Sequence, residues 1–358
     1  MLRLAHTADV HLGRAFGYLG ERAQAHQERL KRAFRRVFRE AQERGCHAVL
    51  IAGDLFDTPH VGRDWVDFAL AVIADSRLPV VVIPGNHDPA AQHPFREARR
   101  PPNLNFLPET TRLRLDELAL EVVACPAGEA VRWQAALRRD PHGAPHQIAL
   151  MHGSMPNAGG QGDIQPTWIA ESGLDYVALG DWHSPQEWTY GRTPCHYSGA
   201  PEMIMPRQQL PATMPIVELA QGQPARVERV ITGEAHFPDA AQNGVVHWDI
   251  TRYKTFQELL TDLRSLLTPE TVTSIRLTGR WCGEEPLNMQ LLAENLQPHC
   301  LWLELESAFQ PELLQPRTPF EQMLATLAQE RAEREPEQAS LYYEAMQTAF
   351  YLLRGGRL

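Results

Sequence analysis

The sequence predicts an α/β protein with a smaller second domain. In its first half, short apolar runs typical of buried strands alternate with an amphipathic, helix-like pattern. These apolar runs end in His, Asp or Asn, and several of the endings contain glycine. Near residue 235 the pattern changes, and a shorter α/β unit begins. A chain of 358 residues is long enough for a catalytic core and such a second unit.

The first half contains five candidate strands and one long candidate helix. The strands are predicted from short apolar runs at residues 2–8, 48–52, 80–83, 148–151 and 176–179. Residues 23–44 predict a helix, because apolar side chains such as Leu30, Phe34 and Val37 recur along one stripe.

The opposite face of this helix is basic. It carries Arg29, Lys31, Arg32, Arg35, Arg36 and Arg39. We interpret this face as a solvated helix surface. The alternative is a patch that faces phosphates, which a chain with a formal net charge of −10 would need somewhere if it bound nucleic acid.

The second half divides into a compact α/β unit and a helical tail. The α/β unit has strand-like runs at 245–250, 274–277 and 301–305 and helix-like runs at 256–267 and 289–295. The tail is helical by composition from Phe320 onwards, and Pro336 in a charged stretch predicts two helices with a break between them. We therefore predict domains at residues 1–235, 240–315 and 316–358.

Composition restricts the compartment. No apolar run approaches the length that spans a bilayer, and the N-terminus enters a strand pattern without a signal-peptide pattern. The five cysteines are scattered and lack CxxC spacing. They indicate reduced thiols in a cytoplasmic protein, and they argue against a disulfide framework or a zinc ribbon.

The polar residues that follow the five strands are the strongest functional signal. They are, in chain order, Asp9 and His11, Asp54, the run Asn86-His87-Asp88, His152, and Asp181 with His183. Ligands of α/β sheets gather at the carboxyl ends of strands. One such ending is common in capped turns and loops, but five in order predict a shared site.

The residue types at these endings suit metal ions. Carboxylates, imidazoles and an amide oxygen, without a thiolate, are typical ligands of divalent manganese, iron or zinc. Two such ions, roughly 3.5–4 Å apart, can share a bridging carboxylate and activate a water for attack on a phosphate ester. The sequence therefore favours a metal-dependent phosphoesterase.

Longer motifs surround these strand ends. The ordered set DVH, GDLFD, GNHD, a single His and GxxH resembles the calcineurin-like metallophosphoesterase superfamily. The stretches HTADVHLGR, IAGDLFDTP, VVVIPGNHDP, YVALGDWHSPQ and YSGAPE resemble SbcD-type DNA repair exonucleases, strongly over residues 2–202 and more weakly over the α/β unit. The resemblance implies a sandwich of two β-sheets flanked by helices, a smaller α/β capping domain and a helical C-terminal tail.

The resemblance also implies a role for each strand-end residue. One metal ion would be held by Asp9, His11 and His183, the other by Asn86, His152 and Asp181, and Asp54 would bridge the pair. The implied cofactors are two divalent ions, with Mn²⁺ favoured and Fe²⁺, Zn²⁺ or Mg²⁺ as alternatives.

Two further residues of the GNHD motif have implied catalytic roles. His87 would stay off the metals and face the scissile phosphate, where it would stabilise charge or protonate the leaving oxygen. Asp88 would orient His87 or a ligand. Asp57 fits either an orienting residue or a turn residue, and His196 is expected to be structural.

The sequence departs from the family at one ligand position. Family members usually carry a histidine where this chain has Asp181. Aspartate can ligate the same ion, and its hard oxygen and added negative charge should favour manganese or magnesium over zinc. For the neighbouring Trp182 we expect a packing role.

The resemblance implies a function and partners. We expect a DNA exonuclease, with endonuclease activity as a further option, that works as a homodimer with an SMC-like coiled-coil ATPase of the SbcC type. The tail from Phe320 onwards is the candidate docking element.

Two other hypotheses about the function stay open. The first is a metallophosphoesterase acting on a small-molecule phosphodiester or a phosphoprotein, which the net charge of −10 mildly favours. The second is a structural subunit whose nuclease site has drifted, to which only Asp181 points.

Overall fold

The computed structural model describes residues 1–156, 162–206, 208, 210–283, 285–311 and 316–354. The chain forms two compact units, Met1–His236 and Phe237–Leu358. The end of the expected capping domain, residues 312–315, and the last four residues of the expected tail, 355–358, lie outside the described residues.

The first unit contains two six-stranded β-sheets. Its strands are β1 Leu2–Thr7, β2 Ala48–Ala52, β3 Val80–Ile83, β4 Leu104–Phe106, β5 Thr111–Leu115, β6 Leu120–Cys125, β7 His146–His152, β8 Tyr176–Gly180, β9 Gln186–Tyr190, β10 Thr193–Tyr197, β11 Thr213–Leu219 and β12 Arg226–Ile231. The first sheet has the order β12-β11-β1-β2-β3-β4, and the second has the order β5-β6-β7-β8-β10-β9.

The centre of each sheet is parallel. In the first sheet β1, β2, β3 and β4 run parallel, and β11 and β12 add an antiparallel edge. In the second sheet β6, β7, β8 and β10 run parallel, and β5 and β9 are antiparallel edge strands. The five strands predicted from the sequence are confirmed as β1, β2, β3, β7 and β8. All five lie inside a sheet, where strands buried on both faces are largely apolar.

The core of the first unit lies between the two sheets. Alternate residues of β1, β2, β6, β7 and β8 point into it, and most of them are buried aliphatic side chains. This row runs through Leu4 and His6 of β1 and continues to Ala8, so an imidazole lies within the apolar layer. Burial lowers the pKa of His6 to about 3, and the side chain is therefore neutral.

Helices cover the outer faces of the sheets. They are α1 Ala23–Glu43, α2 Arg63–Ser76, α3 Ala130–Ala136 and α4 Pro166–Ser172. α1 contacts α2 and the strands β1 and β2 of the first sheet. On the second sheet, Trp133 of α3 and Ile169 of α4 pack against outward side chains of β6, β7 and β8. The predicted helix at 23–44 and the predicted sandwich of two sheets flanked by helices are both confirmed.

The basic face of α1 is only partly the solvated surface that the sequence favoured. Arg29 is buried, with 8% of its surface exposed. Arg32 donates two hydrogen bonds to the Glu234 carboxylate, at 2.8 and 2.6 Å, and Arg36 donates to the Thr232 carbonyl at 3.1 Å. The interpretation was wrong for Arg29 only. Arg32 remains exposed and Arg36 half-buried, and both pair with the residues that follow β12.

The second unit has a three-stranded parallel sheet with two helices. The strands are β13 Val245–Asp249, β14 Val272–Thr278 and β16 Trp302–Ser307, and the helices are α5 Phe256–Ser265 and α6 Met289–Leu296. A short pair, β15 Arg280–Trp281 and β17 Gln310–Pro311, is also parallel. Leu259 and Leu263 of α5 and Leu292 of α6 pack into one apolar core with β14. The three predicted strands and two predicted helices of this unit are confirmed.

The tail consists of two helices, α7 Pro319–Arg334 and α8 Ala339–Leu353. A short 3₁₀ turn at Pro336–Gln338 separates them, so the predicted break at Pro336 is confirmed. Ala328 of α7 packs against Met346 and Phe350 of α8. Within the described ranges, every helix is too short or too polar to cross a membrane.

Candidate metal centre

Strand ends of both sheets meet at one edge of the first unit. The first sheet contributes the turns after β1, β2 and β3, and the second contributes the end of β7 and the turn after β8. The structure brings together the side chains or amides of Asp9, His11, Asp54, Asn86, His87, His152, Asp181 and His183. The expected convergence of these strand ends is thus present in the fold.

The turns after β1 and β2 are held in an unusual backbone conformation. Asp9, His11 and Asp54 have φ angles of 54°, 52° and 50°, in the left-handed region that costs energy for residues other than glycine. Two backbone hydrogen bonds lock these turns together. The Asp9 amide donates to the Gly53 carbonyl at 3.1 Å, and the His11 amide donates to the Asp54 carbonyl at 3.0 Å. Such strain is typical of functional sites.

Two glycines permit the close approach of the strand ends. A Cβ atom on Gly53 would lie 2.2 Å from Nδ1 of His152, and one on Gly85 would lie 2.0 Å from Oδ1 of Asp54. Both distances are far below van der Waals contact. Gly53 is therefore needed where the first sheet approaches His152 of the second, and Gly85 where the turn after β3 approaches Asp54 of the same sheet.

Asp9, His11 and His183 form the first donor cluster. One ligand atom from each lies within 4.8 Å of the others. The Nε2 atoms of His11 and His183 are 3.3 Å apart. Burial, and secondarily the neighbouring His11, lowers the pKa of His183 to about 3, so this imidazole offers a lone pair. Two imidazole nitrogens and a carboxylate are a suitable ligand set for one divalent ion.

His152 anchors the second donor cluster. Its Nδ1 donates a hydrogen bond to the Ala52 carbonyl at 2.7 Å, which directs Nε2 into the site. Nε2 lies 2.7 Å from Oδ1 of Asn86 and 4.0 Å from Oδ1 of Asp181. Burial alone would lower the pKa of His152, but the buried carboxylates nearby outweigh burial and raise it. A cation bound here would take the place of the proton on Nε2.

Asp54 lies between the two clusters. Its Oδ2 is 3.7 Å from Nε2 of His11 and 3.6 Å from Nε2 of His152. Its Oδ1 accepts a hydrogen bond from the His87 amide at 2.8 Å, which fixes the orientation of the carboxylate. An oxygen at equal distance from one imidazole of each cluster is suitably placed to bridge two cations.

The donor set fits divalent metal ions. Asp9 and Asp54 are both buried, at 0% and 1% exposure. Burial raises the pKa of Asp9 well above its usual range, because an uncompensated negative charge in the interior is costly. Divalent cations would supply the missing positive charge. Oxygen and nitrogen ligands without sulfur suit manganese, iron or zinc.

A second layer of polar contacts orients the imidazoles. The Oδ1 atom of Asp57 accepts hydrogen bonds from Nδ1 of His11 and Nη1 of Arg14, each at 3.0 Å. The Asp57 carbonyl accepts a hydrogen bond from Nδ1 of His87 at 3.1 Å. His11, Asp57 and His87 each have one possible ligand atom within 4.8 Å of the others, and the hydrogen bonds above already engage one ring nitrogen of each imidazole. The contacts thus favour the orienting role for Asp57 over a simple turn residue.

Asp88 lies behind the donor atoms. It is fully buried, and its two oxygens accept hydrogen bonds from the amides of Gly85 at 2.7 Å and Phe56 at 3.0 Å. Nε2 of His93 is 3.3 Å from Oδ2 of Asp88. These contacts tie the turn after β3 to the turn after β2. They favour a role for Asp88 in holding the two turns over direct contact with a substrate.

Asp181 stands where the resemblance leads one to expect histidine. Its amide donates a hydrogen bond to Oδ1 of Asp9 at 3.0 Å, and its φ angle is 112°. Burial raises the pKa of its carboxyl group. The carboxylate lies beside the second cluster, although it is further from His152 than the amide oxygen of Asn86 is.

Sequence reasoning missed two residues next to the site. Sδ of Met205 lies 3.1 Å from Nδ1 of His183, and Arg14 binds Asp57. The HLGR motif contains Arg14 without indicating a role for it, and Met205 lies just beyond the YSGAPE motif.

His196 lies in β10, with its ring 5.5 Å from that of Tyr176, in keeping with the expected structural role. The half-buried Trp182 packs against the outer apolar cluster of the second sheet, as expected.

Comparisons with known proteins give a family and several relatives. The family model of calcineurin-like phosphoesterases matches residues 2–185. The DNA double-strand break repair protein Mre11 of Methanopyrus kandleri is 27% identical over 231 residues, which cover 57% of this chain and 49% of that protein. The protein of the same name from Halobacterium salinarum is 29% identical over 235 residues, covering 62% of this chain and 57% of that protein. The protein of the same name from Methanosarcina mazei is 24% identical over 298 residues, which cover 78% of this chain and 45% of that protein.

The matches to the relatives cover only part of the relatives' length. This chain spans about half the length of the curated relatives it matches. The family match covers about half of this chain and includes the donors of both clusters, from Asp9 to His183. With this match and the two-sheet sandwich that carries the site, the chain belongs to the calcineurin-like phosphoesterase family.

Proposed function

We propose that this protein is a two-metal phosphodiesterase that hydrolyses phosphodiester bonds of DNA. The observation that carries the proposal is the position of Oδ2 of Asp54, at 3.7 Å from His11 and 3.6 Å from His152. This geometry supports a bridging carboxylate between two ions. Family membership supports phosphoester hydrolysis, and the relatives named as DNA double-strand break repair proteins support DNA as the substrate.

In this proposal the two donor clusters hold the ions. One ion would be held by Asp9, His11 and His183, the other by Asn86, His152 and Asp181, and Asp54 would contact both. When bound, such ions polarise the phosphate oxygens and lower the pKa of a water molecule. Two second-layer hydrogen bonds, from His11 to Asp57 and from His152 to the Ala52 carbonyl, would keep the imidazoles oriented.

His87 is the proposed catalytic residue of the chain itself. The hydrogen bond from its Nδ1 to the Asp57 carbonyl leaves Nε2 as the nitrogen that can meet a substrate. The His87 ring packs edge-on against the His11 ring, with 4.7 Å between the centroids, so it lies next to the first cluster. We propose that it donates a proton to the leaving oxygen or stabilises charge on the phosphate.

The substrate class is tested by direct comparison of phosphodiesters. Purified protein with Mn²⁺ should degrade labelled single- or double-stranded DNA from its ends, with endonuclease cleavage revealed by circular DNA. A cyclic nucleotide and a generic aryl phosphodiester serve as small-molecule comparisons. Faster turnover of the small diesters with no cleavage of DNA would contradict the proposed substrate and favour a small-molecule phosphodiesterase.

We expect the carboxylate of Asp181 to determine which metal ion the second cluster prefers. A carboxylate is a harder ligand than an imidazole, so the second cluster should favour Mn²⁺ over Zn²⁺. We expect the variant Asp181→His to retain more Zn²⁺ after dialysis than the wild type does, measured as metal content per chain. Asp181→Ala should contain less metal per chain than the wild type, because the second cluster loses one ligand. If Asp181→Ala kept two ions per chain and wild-type kinetics, Asp181 would not be a ligand.

We further propose that the tail binds an SMC-like coiled-coil ATPase, as the family resemblance implies. α7 exposes three large apolar side chains at helical spacing, Phe320, Met323 and Leu327, each more than half exposed. Exposed apolar residues spaced in this way along a helix are typical of a surface that docks against a partner.

Polar replacement of this apolar row should separate docking from hydrolysis. We expect Phe320→Ser, Met323→Ser and Leu327→Ser, combined in one variant, to lose most co-purification with the ATPase and to hydrolyse a small diester at the wild-type rate. The control replaces Gln322 and Gln329 of the same helix with serine. Normal ATPase binding by the triple variant would contradict the docking role.

The proposed assembly is a homodimer, again from the family resemblance. Light scattering coupled to size-exclusion chromatography measures the mass in solution. A mass of about twice the 40.4 kDa of one chain is expected, and a single-chain mass at all concentrations would contradict the dimer.

A further inference from the structure

The donor clusters are divided between two sheets. The first sheet carries Asp9, His11, Asp54 and Asn86, and the second carries His152, Asp181 and His183. Each cluster contains residues from both sheets. The relative position of the two sheets at this edge therefore determines whether either cluster can close around an ion.

A buried polar link joins the sheets beneath this edge. His6 of β1 points into the layer between the sheets, and its Nε2 is 3.2 Å from the carbonyl oxygen of Leu179. Its Nδ1 is 3.1 Å from the hydroxyl of Tyr176. A carbonyl oxygen can only accept, so Nε2 carries the proton and Nδ1 accepts from the tyrosine hydroxyl. Both partners lie on β8, in the opposite sheet.

This link lies close to the site in sequence and in space. His6 lies on β1, three residues before Asp9 in the following turn, and Leu179 lies on β8, two residues before Asp181 in the following turn. In the turns that follow these two strands, the Asp181 amide donates a hydrogen bond across the sheets to Oδ1 of Asp9, at 3.0 Å. His6 and Tyr176 have no exposed surface.

The hydrogen bonds of His6 give the two sheets a directional preference, which the surrounding apolar side chains do not give. Burial of aliphatic side chains holds the sheets together without a directional preference. Hydrogen bonds require defined distances and angles, and a buried polar group that loses its partner is costly. The two hydrogen bonds that His6 forms, one as donor and one as acceptor, thus favour one alignment of β1 against β8.

We propose that His6 and Tyr176 are positioning residues that lock β1 against β8 and thereby hold the two halves of the metal centre in alignment. The inference rests on the proposed function, because the alignment of the two sheets matters for the site only if the two clusters bind metal ions. Neither side chain belongs to a donor cluster of the described residues. Their effect on the site passes through the turns that follow the two strands.

Hydrogen exchange in the metal-free protein tests the lock by itself. We expect faster exchange of the Asp181 amide in His6→Phe, which removes both hydrogen bonds, and a smaller increase in Tyr176→Phe, which removes one hydroxyl. His6→Gln keeps a donor for the Leu179 carbonyl and should restore slow exchange. Leu120→Ala is the control, because Leu120 lies in the same core at the start of β6, the end remote from the site. If the Asp181 amide exchanged at the wild-type rate in both His6→Phe and Tyr176→Phe, the proposal that these residues align β1 with β8 would be overturned.

Mn²⁺ titration by calorimetry tests the consequence for the site. We expect His6→Phe to bind Mn²⁺ roughly tenfold more weakly, the scale of a buried polar group left without its partner, and His6→Gln to recover most of the affinity. Equal weakening by Leu120→Ala would reduce the effect to general destabilisation and overturn the inference. Failure of the wild type to bind Mn²⁺ would instead contradict the metal centre, while the exchange experiment would still decide on the lock.

Discussion

Replacement of Asp54 with asparagine is expected to abolish phosphodiester hydrolysis and to lower the content of both metal ions. The carboxylate is the group that both clusters share, since its Oδ2 lies at nearly equal distances from His11 and His152. An amide is neutral, so its oxygen binds cations more weakly than a carboxylate oxygen does and cannot offset the charge of two ions. The loss of metal affinity should exceed the roughly 10–100-fold that is typical of a second-layer change. Metal content per chain and turnover of a small diester are the two measurements.

A matched control separates the site from the fold. Asp175→Asn changes a carboxylate that lies one residue before β8 and accepts hydrogen bonds from Arg139 and the Gln147 amide, at the end of the strands remote from the site. This variant should retain both ions and the wild-type rate. Wild-type activity in a metal-depleted Asp54→Asn protein would contradict the two-metal account.

Replacement of His87 with alanine is expected to leave both ions bound and to slow hydrolysis by roughly 10²–10⁴-fold, the range typical of a general acid. Nδ1 of His87 donates to the Asp57 carbonyl, so the ring is held by the protein backbone and not by the donor clusters. Its main-chain amide holds Asp54, and alanine keeps that amide. The measurements are metal content and single-turnover rates at saturating Mn²⁺.

The control for this variant is another histidine-to-alanine change. His60 is exposed in the loop between β2 and α2, and His60→Ala should behave as the wild type in both measurements. Loss of an ion together with activity in His87→Ala would make His87 a ligand. An unchanged rate with both ions bound would remove His87 from the mechanism.

Much of the site could be predicted from the sequence because parallel strands end at one edge of a sheet. Asn86 and His152 lie 66 positions apart, yet their side chains meet at 2.7 Å. Each follows or ends an apolar strand that the sequence marks clearly. The two glycines before Asp54 and Asn86 were equally visible, and the structure supplies the reason for them in the 2.2 and 2.0 Å clashes that a Cβ would create.

Other features of the fold had weaker local signals. The edge strands β5, β9 and β12 have side chains that alternate between exposure and partial burial, and such short strands resemble loops in composition. The hydrogen bonds of Arg32 and Arg36 depend on how the segment after β12 lies along α1. No pattern within one helix encodes a contact with a segment about 200 residues away in the chain.

Second-layer contacts were the least predictable part of the site. Asp57 could be either an orienting residue or a turn residue by sequence, and its contacts with His11 and Arg14 decide in favour of orientation. His6 appears in the sequence as one of three polar residues of β1. Its hydrogen bonds to the opposite sheet depend on the packing of the two sheets, which strand periodicity does not specify.

The most direct test of the central claim is an anomalous-difference map from a crystal of the wild-type protein soaked in Mn²⁺. The account predicts two peaks. One should lie among Asp9, His11 and His183, the other among Asn86, His152 and Asp181, with Oδ2 of Asp54 in contact with both. A single peak, or peaks remote from Asp54, would contradict the two-metal centre.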